Sequence, residues 1–205
     1  MMSSIGKEFI EKTKFQHLDR SDQSRNIPQP PLEMEYDASR QVIDLPAPEN
    51  IKIRSFDLRE AIEGRRSIRT YSKVPLTIEE LSYLLWVTQG VVKVTPGATF
   101  RNVPSAGSRH ALETYLLINN VRGVPEGMYR FLAMKWRYGE RGYRYLHLDA
   151  GHACQNLYLG AGSVDCGVCA IAAFSDDDMN DLLMLDGVER FVIYVATVGR
   201  NKVRV

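Results

Sequence analysis

The stretch Arg65-Arg-Ser-Ile-Arg-Thr-Tyr71 places three guanidinium groups and a serine hydroxyl within five consecutive residues. It lies just past the end of a predicted helix. Guanidinium groups present forked N–H donors that match the oxygens of a phosphate. The stretch therefore indicates a binding site for a small anion, although a solvated basic turn can have the same composition.

Capping signals predict a helix on each side of this stretch. Asp57-Leu-Arg-Glu60 begins the first helix, which Gly64 ends. Thr77-Ile-Glu-Glu80 is a stronger capping box and begins the second helix, which Gly90 ends. The second helix carries four residues at the spacing of one helical face, namely Leu81, Leu84, Leu85 and Thr88.

The rest of the chain alternates between apolar runs and helical patterns. A third helix is predicted to begin at Asp149, and its glycines at 151, 160 and 162 indicate close packing by another backbone. Ser175 begins a fourth. Strands are predicted at 114–118, 128–131, 136–138, 168–174 and 191–198. Because the order is not strictly βαβ, the predicted fold class is α+β.

Composition excludes several functional classes. The 205 residues carry 26 Lys and Arg against 25 Asp and Glu, a formal net charge of +1. That balance argues against binding of nucleic acid or of an anionic membrane by bulk electrostatics. We expect neither a signal peptide nor a membrane span. Three cysteines cannot form a fully paired disulfide framework, so we expect a reducing cytoplasm.

Prolines divide the chain near residue 50. Proline fixes φ and favours extended backbone, and residues 16–50 hold five prolines among polar residues: Pro28, Pro30, Pro31, Pro46 and Pro48. We expect residues 1–50 to form an extended N-terminal arm that wraps the body or a partner subunit. Residues 51–205 then form a single domain.

Two further segments could contribute to a ligand site. Pro104-Ser-Ala-Gly-Ser108 combines small side chains with hydroxyl groups, so that a flat ligand could approach its backbone. An ordinary loop has the same composition. A second basic cluster follows Gly199 and consists of Arg200, Lys202 and Arg204. Two basic clusters in a nearly neutral chain favour a bound anion.

These segments resemble one known family. Arg65–Tyr71 is similar to the Arg-Arg-Ser-x-Arg-x-aromatic signature of FMN-dependent nitroreductases. The run Val103-Pro-Ser-Ala-Gly-Ser-Arg-His-Ala-Leu-Glu113 is similar to the flavin-ring segment of their SagB-type dehydrogenase branch. The resemblance continues through 76–86, through Cys154-Gln-Asn-Leu157 and through the closing Val198-Gly-Arg200. It covers nearly the whole chain.

The resemblance implies a nitroreductase-like mixed sheet flanked by helices, in a homodimer that binds FMN at its interface. Arg65 and Ser67, with Arg66 beside them, would hold the phosphate and ribityl end, and Arg69 would lie near the pyrimidine side of the ring. The other implied cofactor-binding residues are Pro104, Ser105, Ala106, Gly107 and Ser108 from the neighbouring subunit, Ala172 and Ala173 beside flavin N5, and Gly199, Arg200 and Lys202 near the phosphate.

The implied activity is hydride transfer from NADH or NADPH through flavin N5 to a small-molecule acceptor. A nitroaromatic, a quinone or an unsaturated metabolite would serve, and no side-chain catalyst is required. One alternative is a SagB-like dehydrogenase that oxidises azoline rings in a modified peptide. The other is a non-catalytic flavin-binding protein.

The cysteine pair and the acidic run of the sequence are better explained by structural roles. Cys166-Gly-Val-Cys169 has the spacing of a redox motif, but an apolar strand follows it instead of a helix N-terminus, so buried structural cysteines are expected. One such pair without a nearby histidine is also weak evidence for zinc. The acidic run Asp176–Asp178 suits the first turn of a helix. We expect no metal site.

Overall fold

The computed structural model of the protein describes residues 4–17, 25–26, 37, 39–95, 98–106, 110–131 and 142–202. These ranges contain five α-helices and six β-strands. The helices are α1 (Ile5–Lys12), α2 (Leu58–Gly64), α3 (Ile78–Gln89), α4 (Gly142–Ser163) and α5 (Asp176–Leu182). The strands are β1 (Val91–Thr95), β2 (Ala98–Arg101), β3 (Thr114–Ile118), β4 (Gly127–Phe131), β5 (Cys166–Ile171) and β6 (Val195–Arg200).

The described strands form three antiparallel pairs, β1–β2, β3–β4 and β5–β6. In the β5–β6 pair, Cys166 lies opposite Arg200 and Ile171 opposite Val195. On its other edge, β5 carries a parallel bridge between Val168 and Ser67. Strand pairing around β5 is therefore mixed, and the α+β prediction is confirmed.

The core lies between α3, α4 and β5. Its most enclosed side chains are Ala161, which has no exposed surface, and Val168, which is 1% exposed. Leu84 of α3 and Cys166 of β5 belong to the same cluster. A second cluster joins the α3 residues Leu81 and Leu85 to the β3–β4 pair. All four face residues predicted for α3 are thus buried, and both halves of its Thr77 capping box are formed.

Two of the four glycines in α4 are closely packed, but against side chains and not against another backbone as the sequence predicts. A Cβ at Gly160 would lie 2.8 Å from Val87 Cγ2, and one at Gly162 would lie 2.9 Å from Phe56 Cε1. Such distances are too short for a methyl group, so alanine at either place would require Val87 or Phe56 to move. The third expectation is wrong, because a Cβ at Gly151 would meet nothing within 4 Å.

Several element boundaries differ from the predicted ones. Helix α4 begins at Gly142 and not at Asp149, because tertiary contacts stabilise its first turns: Tyr143 stacks on Phe191 with centroids 6.0 Å apart. Strand β6 begins four residues later than predicted, since the Val192 N–H donates to Asn180 Oδ1 over 2.8 Å instead of to a strand. The predicted strand 136–138 lies outside the described residues.

The described part of the first fifty residues contacts both long helices. Helix α1, which the sequence did not predict, is held by Arg144 of α4. That guanidinium donates to Thr13 Oγ1 and lies 5.9 Å from the Phe9 ring centroid. Farther along, Ser82 of α3 donates to the Pro46 carbonyl over 2.7 Å. The path of the whole arm remains a prediction, since 18–24 and 27–36 lie outside the described residues. No helix in the described ranges is long and apolar enough to cross a membrane.

Candidate functional site

The segment that follows α2 lies along one edge of β5. Ser67 forms a parallel bridge with Val168, and the Ile68 N–H donates to the Val168 carbonyl over 2.8 Å. In a continued parallel ladder the next bond would run from the Ala170 N–H to the Ile68 carbonyl. That bond is replaced, because each of the two groups is bound by a tyrosine hydroxyl.

The two tyrosines come from different parts of the chain. The Tyr71 hydroxyl donates to the Ile68 carbonyl over 2.6 Å and lies 2.8 Å from Thr197 Oγ1. The Tyr158 hydroxyl accepts from the Ala170 N–H over 2.9 Å. Burial raises the pKa of Tyr71, which keeps its hydroxyl protonated as a donor at neutral pH. The two tyrosine hydroxyls therefore end the ladder of backbone hydrogen bonds to β5 just beyond Ser67.

Two glycines let this segment pack flat on the β5–β6 pair. Gly167 lies opposite Gly199, and we call these residues the glycine pair. A Cβ at Gly199 would lie 2.4 Å from Tyr71 Cγ, and one at Gly167 would lie 2.6 Å from Ile68 Cβ. The glycine pair thus sets the height of the Arg65–Tyr71 segment above the sheet. Gly199, predicted to bind cofactor, lies under the Tyr71 ring.

Tyr158 contacts two residues that were predicted to hold the phosphate and ribityl end. Its hydroxyl oxygen lies 3.0 Å from Ser67 Oγ, and its ring centroid lies 5.2 Å from Arg65 Cζ. Within the described ranges no carboxylate pairs with Arg65. One tyrosine therefore positions a hydroxyl and a positive charge that has no counterion among the described residues.

The other two arginines of the motif are placed differently. Arg66 is exposed, and its Nη1 donates to the carbonyls of Glu63 and Arg65 over 2.9 and 2.8 Å. These contacts satisfy backbone groups at the end of α2. Arg69 is also exposed. The structure therefore brings Arg65 and Ser67 together around Tyr158 and turns Arg66 back toward its own helix.

Arg200 joins the end of β6 to the start of α3. Its Nη2 donates to Glu80 Oε2 and its Nη1 to the Val164 carbonyl, both over 2.6 Å. The Arg200 and Glu80 side chains are 18% and 19% exposed, and the carboxylate raises the pKa of the guanidinium. Each terminal nitrogen thus already donates one hydrogen bond within the chain, and the part of Arg200 in anion binding remains a prediction. Lys202 is exposed, and Arg204 lies outside the described residues.

The predicted ring-binding loop is described as far as residue 106. Pro104 is exposed, whereas Ser105 and Ala106 are half-buried. Ser105 Oγ accepts from the His110 N–H over 2.8 Å, and His110 has a left-handed φ of 46°. The bond joins the two ends of the loop. Gly107 and Ser108, which were also predicted to bind the ring, lie outside the described residues.

His110 is a buried, neutral histidine. Burial, with the nearby Arg101 charge, lowers the pKa of His110 to about 4. Arg101 is itself 8% exposed, and its Nη1 donates to Gln89 Oε1 over 2.7 Å. Burial also lowers the pKa of Arg101. A polar cluster inside the protein thus supports the loop that begins at Pro104.

The two alanines predicted to lie beside flavin N5 directly follow β5. Ala172 and Ala173 are both exposed, so that their backbone is accessible to a ligand. Ala170 lies two residues before them, and its N–H is bound by Tyr158. Tyr158 therefore links the end of β5 to Arg65 and Ser67, because it contacts all three.

The cysteines match the structural interpretation. Cys166 and Cys169 are buried and free, and Cys154 is half-buried and free. Burial raises the pKa of Cys166 to about 11 and raises that of Cys154. Thiols with raised pKa values are poor nucleophiles.

Asp176–Asp178 begin α5 as predicted, and the described ranges hold no cluster of three or more side chains suited to a metal ion.

The sequence model of the nitroreductase family matches residues 62–133 and 124–200. The match includes the Arg65–Tyr71 segment, α4 and the β5–β6 pair. The chain belongs to the nitroreductase family. Nitroreductases generally use flavin cofactors and are typically homodimers, and membership indicates an oxidoreductase.

One relative of this nitroreductase aligns with most of the chain. A candidate nitroreductase of Methanocaldococcus jannaschii is 31% identical to it, over 78% of this chain and 96% of the relative. A solved nitroreductase-like structure from Anabaena variabilis is 26% identical, with a TM-score of 0.54, and covers 71% of this chain. This chain spans only 38% of that Anabaena protein.

Two more distant structures share the fold. A nitroreductase-like structure from Ralstonia eutropha has a TM-score of 0.64 at 20% identity and covers 86% of this nitroreductase and 97% of its own chain. A chain of the Escherichia coli microcin synthetase McbBCD complex has a TM-score of 0.54 at 17% identity, covering 95% of this chain and 86% of its own. At these identities the likeness is one of fold.

Sequence reasoning missed Tyr158. The residue follows Leu157 in α4, inside the helix predicted to begin at Asp149, and no motif of the sequence marks it. One signal was available: a tyrosine among apolar residues needs a partner for its hydroxyl when it is buried. Its partners, Ser67 and the Ala170 N–H, come from separate parts of the chain, so sequence alone could not name them.

Proposed function

We propose that this nitroreductase is an FMN-dependent oxidoreductase that accepts hydride from NADH or NADPH and passes it to a small-molecule acceptor. A nitroaromatic, a quinone or an unsaturated metabolite fits this class. The proposal starts from family membership and from the resemblance of Arg65–Tyr71 and 103–113 to flavin-binding segments. Three free cysteines support a reducing cytoplasm as its compartment.

The observation that carries the proposal is the donor set around Tyr158. Arg65 offers a guanidinium without a carboxylate among the described residues, and Ser67 offers a hydroxyl 3.0 Å from the tyrosine oxygen. A phosphate needs N–H and O–H donors and a positive charge. The residues present therefore fit the phosphate-bearing end of FMN.

Bound FMN would supply the hydride chemistry, with flavin N5 as the reacting atom. The chain itself would bind and orient the cofactor. Arg65 and Ser67 would hold its phosphate end, with help from Lys202 and Arg200, and Arg69 would lie near the pyrimidine side. The backbone at Ala172 and Ala173 would face N5, where both residues are exposed.

We further propose that two copies form the active unit, with loop 104–108 covering the flavin ring of the partner. Large apolar side chains on the described surface support a second copy. Val92 and Val94 of β1 are 64% and 62% exposed, and Leu58 and Ile62 of α2 are 64% and 55% exposed. A second copy that covers these side chains would remove them from water.

The test begins with the visible spectrum of the purified protein and its bleaching by NADPH without oxygen. We expect a yellow protein that bleaches rapidly. Arg65→Ala combined with Arg69→Ala should remove FMN and leave the fold intact. Arg59→Ala is the matched control, because Arg59 is exposed and paired with Glu63 over 2.8 Å. Failure of the wild-type protein to take up FMN would contradict the proposal.

Two outcomes of the same test point to the alternatives. A yellow protein that nicotinamides do not bleach supports a flavin-binding protein without reductase activity. Oxidation of an azoline-containing peptide with reduction of the flavin supports the peptide-modifying alternative, for which the McbBCD likeness supplies the fold only. Sedimentation should find the flavin in a dimer, and a flavin-loaded monomer would contradict the shared site.

A further inference from the structure

We propose that Tyr158 is a positioning residue that directs the Ser67 hydroxyl proton and the Arg65 guanidinium toward one anionic oxygen of the bound cofactor. This inference rests on the proposed function and adds to it a residue on α4. Tyr158 lies outside the two segments that carry the flavin-binding resemblance.

The direction of the hydrogen bonds carries the first part of the inference. The Tyr158 oxygen accepts from the Ala170 N–H over 2.9 Å, and a backbone N–H can only donate. The phenol proton therefore remains to be donated, and Ser67 Oγ lies 3.0 Å away. If Ser67 accepts this proton, its own hydroxyl proton is left to bind an acceptor, and the described residues provide no other acceptor for it.

The ring of Tyr158 carries the second part. Arg65 Cζ lies 5.2 Å from the ring centroid, within the roughly 6 Å over which a guanidinium is attracted to an aromatic face. This contact orders the arginine without using a carboxylate. The N–H groups of Arg65 thus keep their capacity for an anion, whereas the terminal nitrogens of Arg200 are bound to Glu80 and to the Val164 carbonyl.

A rigid support for Tyr158 makes this positioning effective. The residue lies on α4, one residue from Leu157, which packs against the core. Its hydroxyl is fixed by the backbone of β5, which pairs with β6 along its full length. Holding donors in place before a ligand arrives lowers the cost of ordering them on binding.

The experiment measures FMN dissociation constants by fluorescence for a small set of variants. Tyr158→Phe keeps the ring and removes the hydroxyl, and we expect it to raise the constant roughly fivefold to tenfold, as for loss of one hydrogen bond between uncharged groups. In a Ser67→Ala background the same change should have almost no effect, because the serine through which it acts is gone. Tyr83→Phe is the control, since its hydroxyl binds Ser163 at 3.3 Å.

Each result of these binding measurements supports or overturns the positioning role of Tyr158. Unchanged FMN affinity in Tyr158→Phe, or an equal loss with and without Ser67, would overturn the inference even if the wild-type protein binds FMN. If the wild-type protein binds no FMN, thermal stabilisation by inorganic phosphate is measured instead. Stabilisation that Tyr158→Phe reduces then supports the inference and refutes the proposed function, and the absence of stabilisation overturns both.

Discussion

Gly167 and Gly199 lie opposite each other in β5 and β6, and the side chains of Ile68 and Tyr71 fill the space above them. Two strands that are distant in sequence thus share one flat surface. The arginine-rich segment packs on that surface, so its geometry depends on residues that carry no side chain. The positions of Arg65 and Ser67 therefore depend on the absence of side chains at the glycine pair.

Gly199→Ala is expected to destabilise the protein strongly. A Cβ there would lie 2.4 Å from Tyr71 Cγ and 2.8 Å from Tyr71 Cβ, so the segment would have to move. Overpacking of this kind costs about 1–3 kcal/mol in unfolding free energy, measured by denaturant titration. Gly151→Ala is the matched control, because a Cβ there meets nothing within 4 Å. It should be neutral or stabilising, and equal losses in both variants would contradict the packing account.

Arg200→Met is expected to lower the unfolding free energy by about 3 kcal/mol, because it leaves the Glu80 carboxylate enclosed without its cation. Arg59→Met, which removes an exposed partner of Glu63, should change stability little. Because both terminal nitrogens of Arg200 are already bound, we expect Arg200→Met to weaken FMN binding less than Arg65→Ala does. A larger loss of FMN affinity in Arg200→Met than in Arg65→Ala would show that Arg200 is the main phosphate ligand.

Acid should destabilise the protein through His110. Its pKa is about 4 in the folded chain and near 6.5 when unfolded, so the unfolded chain binds more protons between these values. The stability that neutral His110 provides is complete above about pH 6.5 and is lost as the pH falls toward 4, by at most about 3 kcal/mol. Unfolding curves across this range measure the loss.

His110→Asn is the control for that experiment. Asparagine tolerates the left-handed backbone of this position and does not titrate. The variant should therefore show a flatter dependence of stability on pH between about 4 and 6.5. An unchanged slope would assign the acid sensitivity to other groups.

Cys166 is expected to resist alkylation in the folded protein. With a pKa of about 11, roughly one thiol in a thousand is ionised at about pH 8, and the side chain is 4% exposed. Mass spectrometry after iodoacetamide treatment should find label on Cys166 only when the protein is unfolded. Rapid labelling of Cys166 and Cys169 in the native state would favour the redox-motif interpretation.

Local signals predicted the elements whose ends are set by nearby residues. Helix α3 begins at its Thr77–Glu80 capping box and ends before Gly90, because each signal lies within four residues of the boundary it sets. Helix α4 is longer than predicted, since its first turns depend on Phe191 and on the contacts of Arg144. Distant partners of this kind leave no local pattern.

The candidate site also combines features that nearby residues predict with features that depend on distant ones. The composition of Arg65–Tyr71 indicated an anion site, and the structure does place Arg65 and Ser67 around one side chain. Composition could not separate Arg65 from Arg66, because the difference lies in which guanidinium reaches the carbonyls at the end of α2. It also could not find Tyr158, whose partners are distant in sequence.

One oxygen atom, Glu80 Oε2, accepts both the Thr77 N–H over 2.8 Å and the Arg200 guanidinium over 2.6 Å. During synthesis the ribosome releases residue 77 long before residue 200. The N-terminal turn of α3 can thus form early, before β6 is available to bind the Glu80 carboxylate. Docking of β6 therefore completes this junction, and a nascent chain that stalls before residue 200 would lack the Arg200–Glu80 contact.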